Sequence, residues 1–540
     1  MNKLLKGGSN SFYIIWISVV IFFTTFVIFP LVCIFLQPKL SDVLLVLTSE
    51  RWHKAIINTF FQCVCSTTLS VFVGYVYAYA VIRGKLPFKK IFSLFPIIHL
   101  VTPPFVGGLA FILLLGRQGF ITKTILGLDV SLYGFWGLLL AQVLCFFPIA
   151  YLICCQTLQG INPSLEQAAR SMGANKLKIF FTITLPLSFP GILSSFLFIA
   201  VSVLSDFGNP LIIAGRYRVL AVEIYTQLTG WLNTGVSTVL GIILLVPSIV
   251  LFIFQNKLLK KNIQKIATIG GKSSNNSSFY DNKKISVLFT LFCSAIAFII
   301  VAQFLSIILG SFQKLWSVNP AFTLNHIKGI FSYKSELLNS LSFAFISAIL
   351  STAIACVTSY ITNRTSVLGY KTLDVVCQLP AAIPGSLFGL SLAIAANMIH
   401  FRGSHFLIII AMTVSYLPFS YRACTSTIVQ IKKTLDDGAR SLGADRIKVL
   451  TSVILPLSIE GIFSSFVYNF VRGVGTLSAV IFLVSFNTPL SSVKILNLAE
   501  QGDWGKAAAL ALVLTLLTFA ILGIGKLISN KFRIKIWNNN

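Results

Sequence analysis

Residues 165–196 read LEQAARSMGANKLKIFFTITLPLSFPGILSSF, and residues 435–466 read LDDGARSLGADRIKVLTSVILPLSIEGIFSSF. Each passage starts polar and charged and ends apolar, and each turns from one to the other near a Leu-Pro pair. Gly173 and Gly443, Pro186 and Pro456, and Gly191 and Gly461 all stand 270 positions apart. Pro148 and Pro418 share that spacing, as do Tyr151 and Tyr421. Upstream the likeness loosens: INTFFQ from Ile57 resembles LNSLSF from Leu338, and Pro103 and Pro104 sit opposite Pro384. The sequence is an internal duplication, and its polar-to-apolar passage is the part that repeats most closely.

Composition says where the duplicated chain lives. It is 56% hydrophobic and 13% aromatic, with only 11% charged residues and a mean hydropathy of +0.87. A water-soluble chain of that balance would expose large apolar patches. Apolar runs of about 20 residues, the length of a spanning helix, recur instead. About twelve lie near 12–36, 55–82, 91–116, 135–155, 181–205, 236–256, 285–310, 337–362, 372–398, 405–423, 451–475 and 507–528. The first is too long for a signal-peptide core and lacks a small-residue cleavage site, so it reads as a retained span.

The expected fold is therefore an all-α membrane protein of about twelve transmembrane helices. Six spans per copy is an even number, so the copies share one orientation and are related by an axis along the membrane normal. The domain reading is a first half over 1–256, a basic, Ser/Asn-rich linker over 257–284, and a second half over 285–540. Orientation follows from Lys and Arg. With the N-terminus in the cytosol, about 27 of the 42 basic residues fall on the inner side, as the positive-inside rule requires. Both termini are then cytosolic and the protein is a multi-pass component of the bacterial inner (plasma) membrane.

The formal net charge of +27 is scattered over short loops rather than gathered in one domain. It points to topology and anionic lipid headgroups, not to nucleic acid. The ten cysteines fall in or beside spans without zinc-ligand spacing and read as small apolar packers. GGKS at Gly270–Ser273 imitates a phosphate-binding loop, but Ile266 occupies the place of its first glycine, and no nucleotide role follows.

The repeated passage lies between the fourth and fifth span of each copy. Ser164-x-x-Gln167 reads as a capping box and Thr434-x-x-Asp437 as a weaker one. The short helix that each opens should end at Gly173 or Gly443 in a left-handed C-cap. Leu165, Ala168, Ala169 and Met172 would share one face, as would Leu435, Gly438, Ala439 and Leu442. Glu166 and the Asp436/Asp437 pair sit in the first turn, where the helix dipole favours carboxylates. An amphipathic turn resting on its own bilayer has the same pattern. Duplication and the abrupt Leu-Pro that follows favour a docking helix.

EQAARSMGA…LPL and DDGARSLGA…LPL resemble the EAA loop of binding-protein-dependent ABC importer permeases. The motif runs Glu-Ala-Ala, three residues, then Gly. Here Gln167 takes the place of the first Glu, with Glu166 one residue early, and Asp437-Gly438 replaces Glu-Ala, while Ala169, Ala439, Gly173 and Gly443 are kept. The resemblance covers nearly the whole chain. It implies a type I importer fold with docking by Glu166, Gln167, Ala168, Ala169 and Gly173, and by Asp436, Asp437, Gly438, Ala439 and Gly443. The implied partners are two cytosolic ATPase subunits and a periplasmic or lipid-anchored binding protein. With no Walker motif in this sequence, the chain is expected to be no enzyme and to bind no cofactor, ATP being used by the partner subunit. The stretches from Asp206 (DFGNPLIIAG) and from Phe470 (FVRGVGTLSAV) are most similar to the ferric-iron permeases. Related importers for thiamine, phosphonates or sugar phosphates remain alternatives.

Polar residues gather near the outer ends of the fifth and eleventh spans: Asp206, Asn209, Glu223, Gln227, Arg472, Asn487, Glu500 and Asp503. Asp206, Asn209, Glu223, Arg472 and Glu500 are the candidate translocation pathway, since ionisable residues in spans are pathway residues by default. Arg472 either attracts an anion or joins an interior ion pair, with Asp206 as the candidate partner. Asp206 and Glu500 offer the hard oxygens that ferric ion prefers, in a weak path rather than a trap. No metal ligand is assigned to the scattered histidines. Pro96, Pro103, Pro104, Pro380 and Pro384 should interrupt the third and ninth spans. An ion-coupled secondary transporter with a parallel repeat would need carboxylates at the membrane centre, and Asp plus Glu total 15, mostly in loops. The topology is directly checkable. A cysteine at Asn275 should stay shielded from an impermeant thiol reagent in intact cells, and labelling from outside would overturn the twelve-span reading.

Overall fold

The computed structural model describes residues 10–102, 104–125, 127, 132–269, 283–401 and 403–531. Residues 270–282 of the linker, GGKS included, and the basic residues of both tails before 10 and after 531 lie outside the described residues. Among the described residues, ten helices are long and apolar enough to cross a membrane: Ser11–Leu36, Glu50–Arg83, Val106–Ile125, Phe135–Gly160, Lys176–Leu204, Thr234–Lys257, Lys283–Phe312, Asn325–Arg364, Ser404–Gln430 and Trp504–Gly525. Two bent pairs raise the count to twelve: Tyr370–Ala382 with Gly385–Met398, and Arg446–Leu457 with Ile459–Val474. The expected all-α, two-repeat architecture stands. A single antiparallel hairpin, Gln313–Leu315 with Asn319–Phe322, is the only sheet among the described residues.

Prolines place the breaks. The residue before a proline is pushed out of the helical region, and Ile383 before Pro384 is extended at ψ 122°. The two arms of the ninth span diverge there by 109°. Thr102 before Pro103 is extended likewise, at ψ 143°. The expected third span, 91–116, therefore divides into Lys89–Val101 and Pro104–Leu115, while Pro96, expected to interrupt it, lies inside the first of these helices.

Local contacts repeat as the sequence does. The Asn58 carboxamide donates to the Arg218 carbonyl at 3.0 Å, and Asn339 donates to Pro489 at 3.1 Å. The Leu220 N–H donates to the Thr59 hydroxyl, and the Ser491 N–H to Ser340, both at 2.8 Å. Asn175 and Asp445 cap the helices that follow the repeated loops, each accepting from the backbone N–H three residues on at 2.8 Å. These helices pass through one π-helical turn, Phe180–Thr184 or Leu450–Ile454, just before Leu-Pro.

Packing does not follow chain order. One compact unit comprises Leu44–Trp231 and Ile243–Thr323, the other Met1–Val43, Leu232–Ile242 and Leu324–Asn540. Each unit thus takes one outer helix from the other sequence half, whose boundaries of 1–256 and 285–540 describe the duplication rather than the packing. In the first unit, Cys293, Ile296 and Ile300 from Lys283–Phe312 enter a core with Tyr77, Phe147 and Tyr151. In the second, Phe26 of the N-terminal helix meets Phe406 at 5.7 Å between ring centres, and the Arg446 guanidinium lies 4.9 Å over the Phe12 ring. The cysteines are mostly buried, as small packers should be.

Gly191 and Gly461 permit equivalent close helix contacts in the two copies. A Cβ on Gly191 would lie 2.1 Å from Thr157 Oγ1, and one on Gly461 2.5 Å from Thr427 Oγ1. Gly191→Ala should therefore destabilise the folded chain by about 1–3 kcal/mol through overpacking. Thermal melting in detergent checks this, and an unchanged midpoint would contradict the tight contact.

Candidate functional site

Each repeated loop folds as a nine-residue helix, Pro163–Ser171 in one unit and Lys433–Ser441 in the other. The starts differ from the expected capping boxes. The first helix is capped by Asn162, whose side chain accepts from the Ser164 N–H at 3.0 Å, with Pro163 in the first turn. Proline suits that place because its missing N–H would have no helical partner. Ser164 is therefore inside the helix. The second helix starts after Lys432 with no side-chain cap, and Thr434 is likewise inside it.

The ends are as the glycines require. Gly173 and Gly443 take φ +85° and +83°. Their N–H groups donate to Arg170 and Arg440, and those of Ala174 and Ala444 to Ala169 and Ala439, all at 3.0 Å. This double bond pattern is a Schellman cap, which satisfies carbonyls that a helix end otherwise leaves open.

The faces sort more finely than the sequence suggests. Leu165, Gln167, Ala168 and Met172 point outward, Met172 at 81% exposure, while Glu166 and Ala169 turn into the bundle. Ala169 therefore leaves the expected shared face. In the second helix Leu435, Asp437 and Gly438 are exposed and Leu442 is 90% exposed, with Asp436 and Ala439 half-buried. A stripe of one large, one small and one large apolar residue thus faces outward on both helices. Open space surrounds Gly173, Gly438 and Gly443. Behind the stripes lie two arginines that sequence reasoning had assigned to topology alone. Arg83 Nε stands 3.5 Å from Glu166, and Arg364 Nη1 stands 3.3 Å from Asp436. Their shared spacing of 281 residues, the same as that of Ile57 and Leu338, was the signal that could have found them.

The pathway candidates do not form one cluster. Asp206 follows the Lys176–Leu204 helix, at the end of a buried polar chain. The Gln62 amide donates to Gln142 at 3.1 Å, Ser66 donates to Gln142 at 2.8 Å, and Gln142 donates to Asp206 at 3.0 Å. The Asn209 amide adds a further bond to Asp206 at 3.0 Å. Burial pushes the Asp206 pKa above the ordinary carboxylate range, and the bonds from Gln142 and Asn209 work against that rise. Sequence reasoning missed Gln62, Ser66 and Gln142, each uncharged and hidden in an apolar run.

Glu223 is buried and engaged by Arg51 at 2.7 Å and by Arg218 at 3.7 Å, a structural ion pair. Arg472 lies in the last turn of Ile459–Val474, where a cation complements the helix dipole. Its guanidinium is 6.0 Å from the Tyr468 ring, which stacks on Phe419. Arg472 and Asp206 belong to different compact units. Glu500 is exposed at the end of Ser491–Glu500, and Asp503 caps the next helix, accepting from the Lys506 N–H at 3.2 Å. Among the described residues, no group of three or more His, Cys, Asp or Glu is placed to hold a metal ion.

Comparison with known proteins fits this arrangement. The description of the binding-protein-dependent transport system inner membrane component matches twice, over residues 68–264 and 351–534. The ferric transport system permease protein FbpB of Actinobacillus pleuropneumoniae is 31% identical over 94% of this chain and 76% of its own length. A putative ferric transport system permease protein, FbpB 1, of Haemophilus influenzae is 32% identical over 87% of this chain and 77% of its own. The molybdenum transport system permease protein ModB of Escherichia coli K12 is 30% identical over 34% of this chain and 82% of its own, so it matches about one repeat. These relatives are transport permeases, not enzymes. Two outward-facing repeated helices on a duplicated helical bundle, matched across both copies, place the chain in the family of binding-protein-dependent transport system inner membrane components, as a fused, double-repeat membrane permease.

Proposed function

We propose that this permease carries ferric iron across the bacterial inner membrane, receiving it from a binding protein outside and driven by ATPase subunits inside. The observation that carries the cargo is the likeness, along both repeats, to two permeases named for ferric transport. Two ATPase subunits dock, one on Pro163–Ser171 and one on Lys433–Ser441. Two exposed stripes of matching chemistry, Leu165–Ala168–Met172 and Leu435–Gly438–Leu442, support that number. ATP is bound and hydrolysed by those partners. Both termini and both docking helices lie in the cytosol, as the basic loops favour.

Ferric ion is a hard cation that prefers oxygen ligands. Asp206, held by the Gln142 and Asn209 amides, is the pathway carboxylate, with Asn209 beside it. Glu223 serves the scaffold through Arg51 and Arg218. Arg472 orders the end of its helix, and Glu500 stands at an exposed helix end where incoming cation first meets negative charge. A single carboxylate at each step passes the ion on, whereas a dense ligand set would retain it.

The docking reading is tested by bulk at the open glycines. Gly173→Leu and Gly443→Leu place a side chain where the partner rests and add about 1–2 kcal/mol of left-handed strain. The chain should still insert, while uptake falls and ATP hydrolysis runs uncoupled. Normal uptake with a normally assembled ATPase would remove the docking assignment. For the cargo, Asp206→Asn should lower uptake of radioactive ferric iron, and Arg472→Lys should be milder than Arg472→Ala. A phosphorylated cargo would instead need the forked guanidinium, so that lysine fails as alanine does. Unchanged iron uptake in Asp206→Asn would sink the iron pathway.

A further inference from the structure

The two docking helices are tied to their bundles by the same kind of side chain, but not equally firmly. Arg83, the last residue of Glu50–Arg83, donates from Nη2 to the Leu158 carbonyl at 3.1 Å and to the Ile161 carbonyl at 3.2 Å. Those carbonyls close the Phe135–Gly160 helix, and the same guanidinium faces Glu166 at 3.5 Å. Thr184, in the π-helical turn ahead of Leu-Pro, donates to the other Glu166 oxygen at 2.8 Å. Both side chains of the ion pair are about 5% exposed or less. Three segments therefore meet at one buried carboxylate, and Arg83 ties a fourth, Phe135–Gly160, to the same junction.

Arg364 repeats the first three connections. It donates to the Ile428 and Ile431 carbonyls and faces Asp436 at 3.3 Å. The fourth connection is missing. The residue 270 positions after Thr184 is Ile454, which has no hydroxyl. The carboxylate is also one methylene shorter and 14% exposed; Arg364 Nη1 donates to its Oδ2, and its Oδ1 is buried with no hydrogen bond.

A helix held only by its ends rolls about its axis when a partner pulls on its outer face. A buried guanidinium resists that roll, because its planar fork fixes the direction of each bond it makes. Displacement of the docking helix then reaches the ends of two spanning helices at once. We infer that Arg83 and Arg364 are positioning residues that pass docking-helix motion into the bundle, stiffly through Glu166 and compliantly through Asp436. The inference rests on the reading of these helices as ATPase docking sites. If the arginines merely neutralise charge and close helix ends, lysine would serve as well.

The test uses the full chain with its ATPase subunits and binding protein in proteoliposomes, and reads ferric ion transported per ATP hydrolysed. Coupling changes of about 0.5–2 kcal/mol correspond to roughly twofold to thirtyfold in such a ratio. Arg83→Gln should lower it by about tenfold and Arg364→Gln by about twofold to threefold, within that span. Arg83→Lys should not restore it, and Thr184→Val should fall between the two glutamine variants. Asp436→Glu combined with Ile454→Thr rebuilds the tight junction in the second copy, and should make Arg364→Gln as damaging as Arg83→Gln. A ratio unchanged in Arg83→Gln, full rescue by Arg83→Lys, or equal loss from Arg83→Gln and Arg364→Gln overturns the inference. Should Arg83→Gln fail to assemble, Thr184→Val decides, since it leaves the ion pair in place, and an unchanged ratio there is equally fatal. A wild-type chain that binds no ATPase subunit removes the docking reading itself, so the two failures are told apart.

Discussion

Inside a bilayer no water is at hand for a backbone or side-chain polar group that loses its partner. Every departure of this chain from a straight apolar helix answers to that constraint. The ninth span turns through 109° where Pro384 holds Ile383 extended. The eleventh turns through 76° at Ser458, whose hydroxyl donates to the Ile454 carbonyl at 2.7 Å. Its counterpart Ser188 instead meets the Tyr75 hydroxyl at 2.8 Å, and the helix carrying it passes as one span. In the second copy Cys356 stands where the first has Tyr75, so that bond has no equivalent. Even the buried carboxylate of Asp206 is reached through a chain of amides and hydroxyls rather than left bare.

The same accounting explains the two repeated-loop helices. A nine-residue helix is too short to be stable on its own. It persists here because its C-terminal end is closed and its inner face is anchored. A Schellman cap closes the end of each, a carboxylate–arginine pair fixes the inward side, and Asn162 also closes the start of the first. The outer face is then free to be apolar and small in the middle, which is what close approach of a partner surface demands.

Duplication preserved the skeleton and released the lining. Asn58 and Asn339, Thr59 and Ser340, and Asn175 and Asp445 make equivalent bonds in the two copies. The polar candidates have no such twins: Asp206 stands opposite Thr476, Arg472 opposite Ser202, and Glu223 opposite Lys494. The junctions at Glu166 and Asp436 differ between the copies in the same way, since only the first has a threonine hydroxyl on its carboxylate.

Span number, the duplication, the glycine-terminated helices and the breaks at Thr102 and Ile383 were legible in the sequence, whereas Pro96, expected to break its helix, does not. Hydrophobic length, spacing and the dihedral limits of glycine and proline act locally, so they need no knowledge of the fold. The turning of Ala169 and Glu166 inward was not legible, because a 100° step along a short helix allows several faces and only the neighbouring bundle chooses one. Nor was the pairing of Arg83 with Glu166, 83 residues apart, or the chain from Gln62 to Asp206, since uncharged polar residues carry no pattern until their partners are adjacent. The exchange of outer helices between compact units was equally hidden. Helices in lipid gain little from hydrophobic burial against one another and associate by shape and close packing, so which helix completes which bundle is decided by tertiary contact alone.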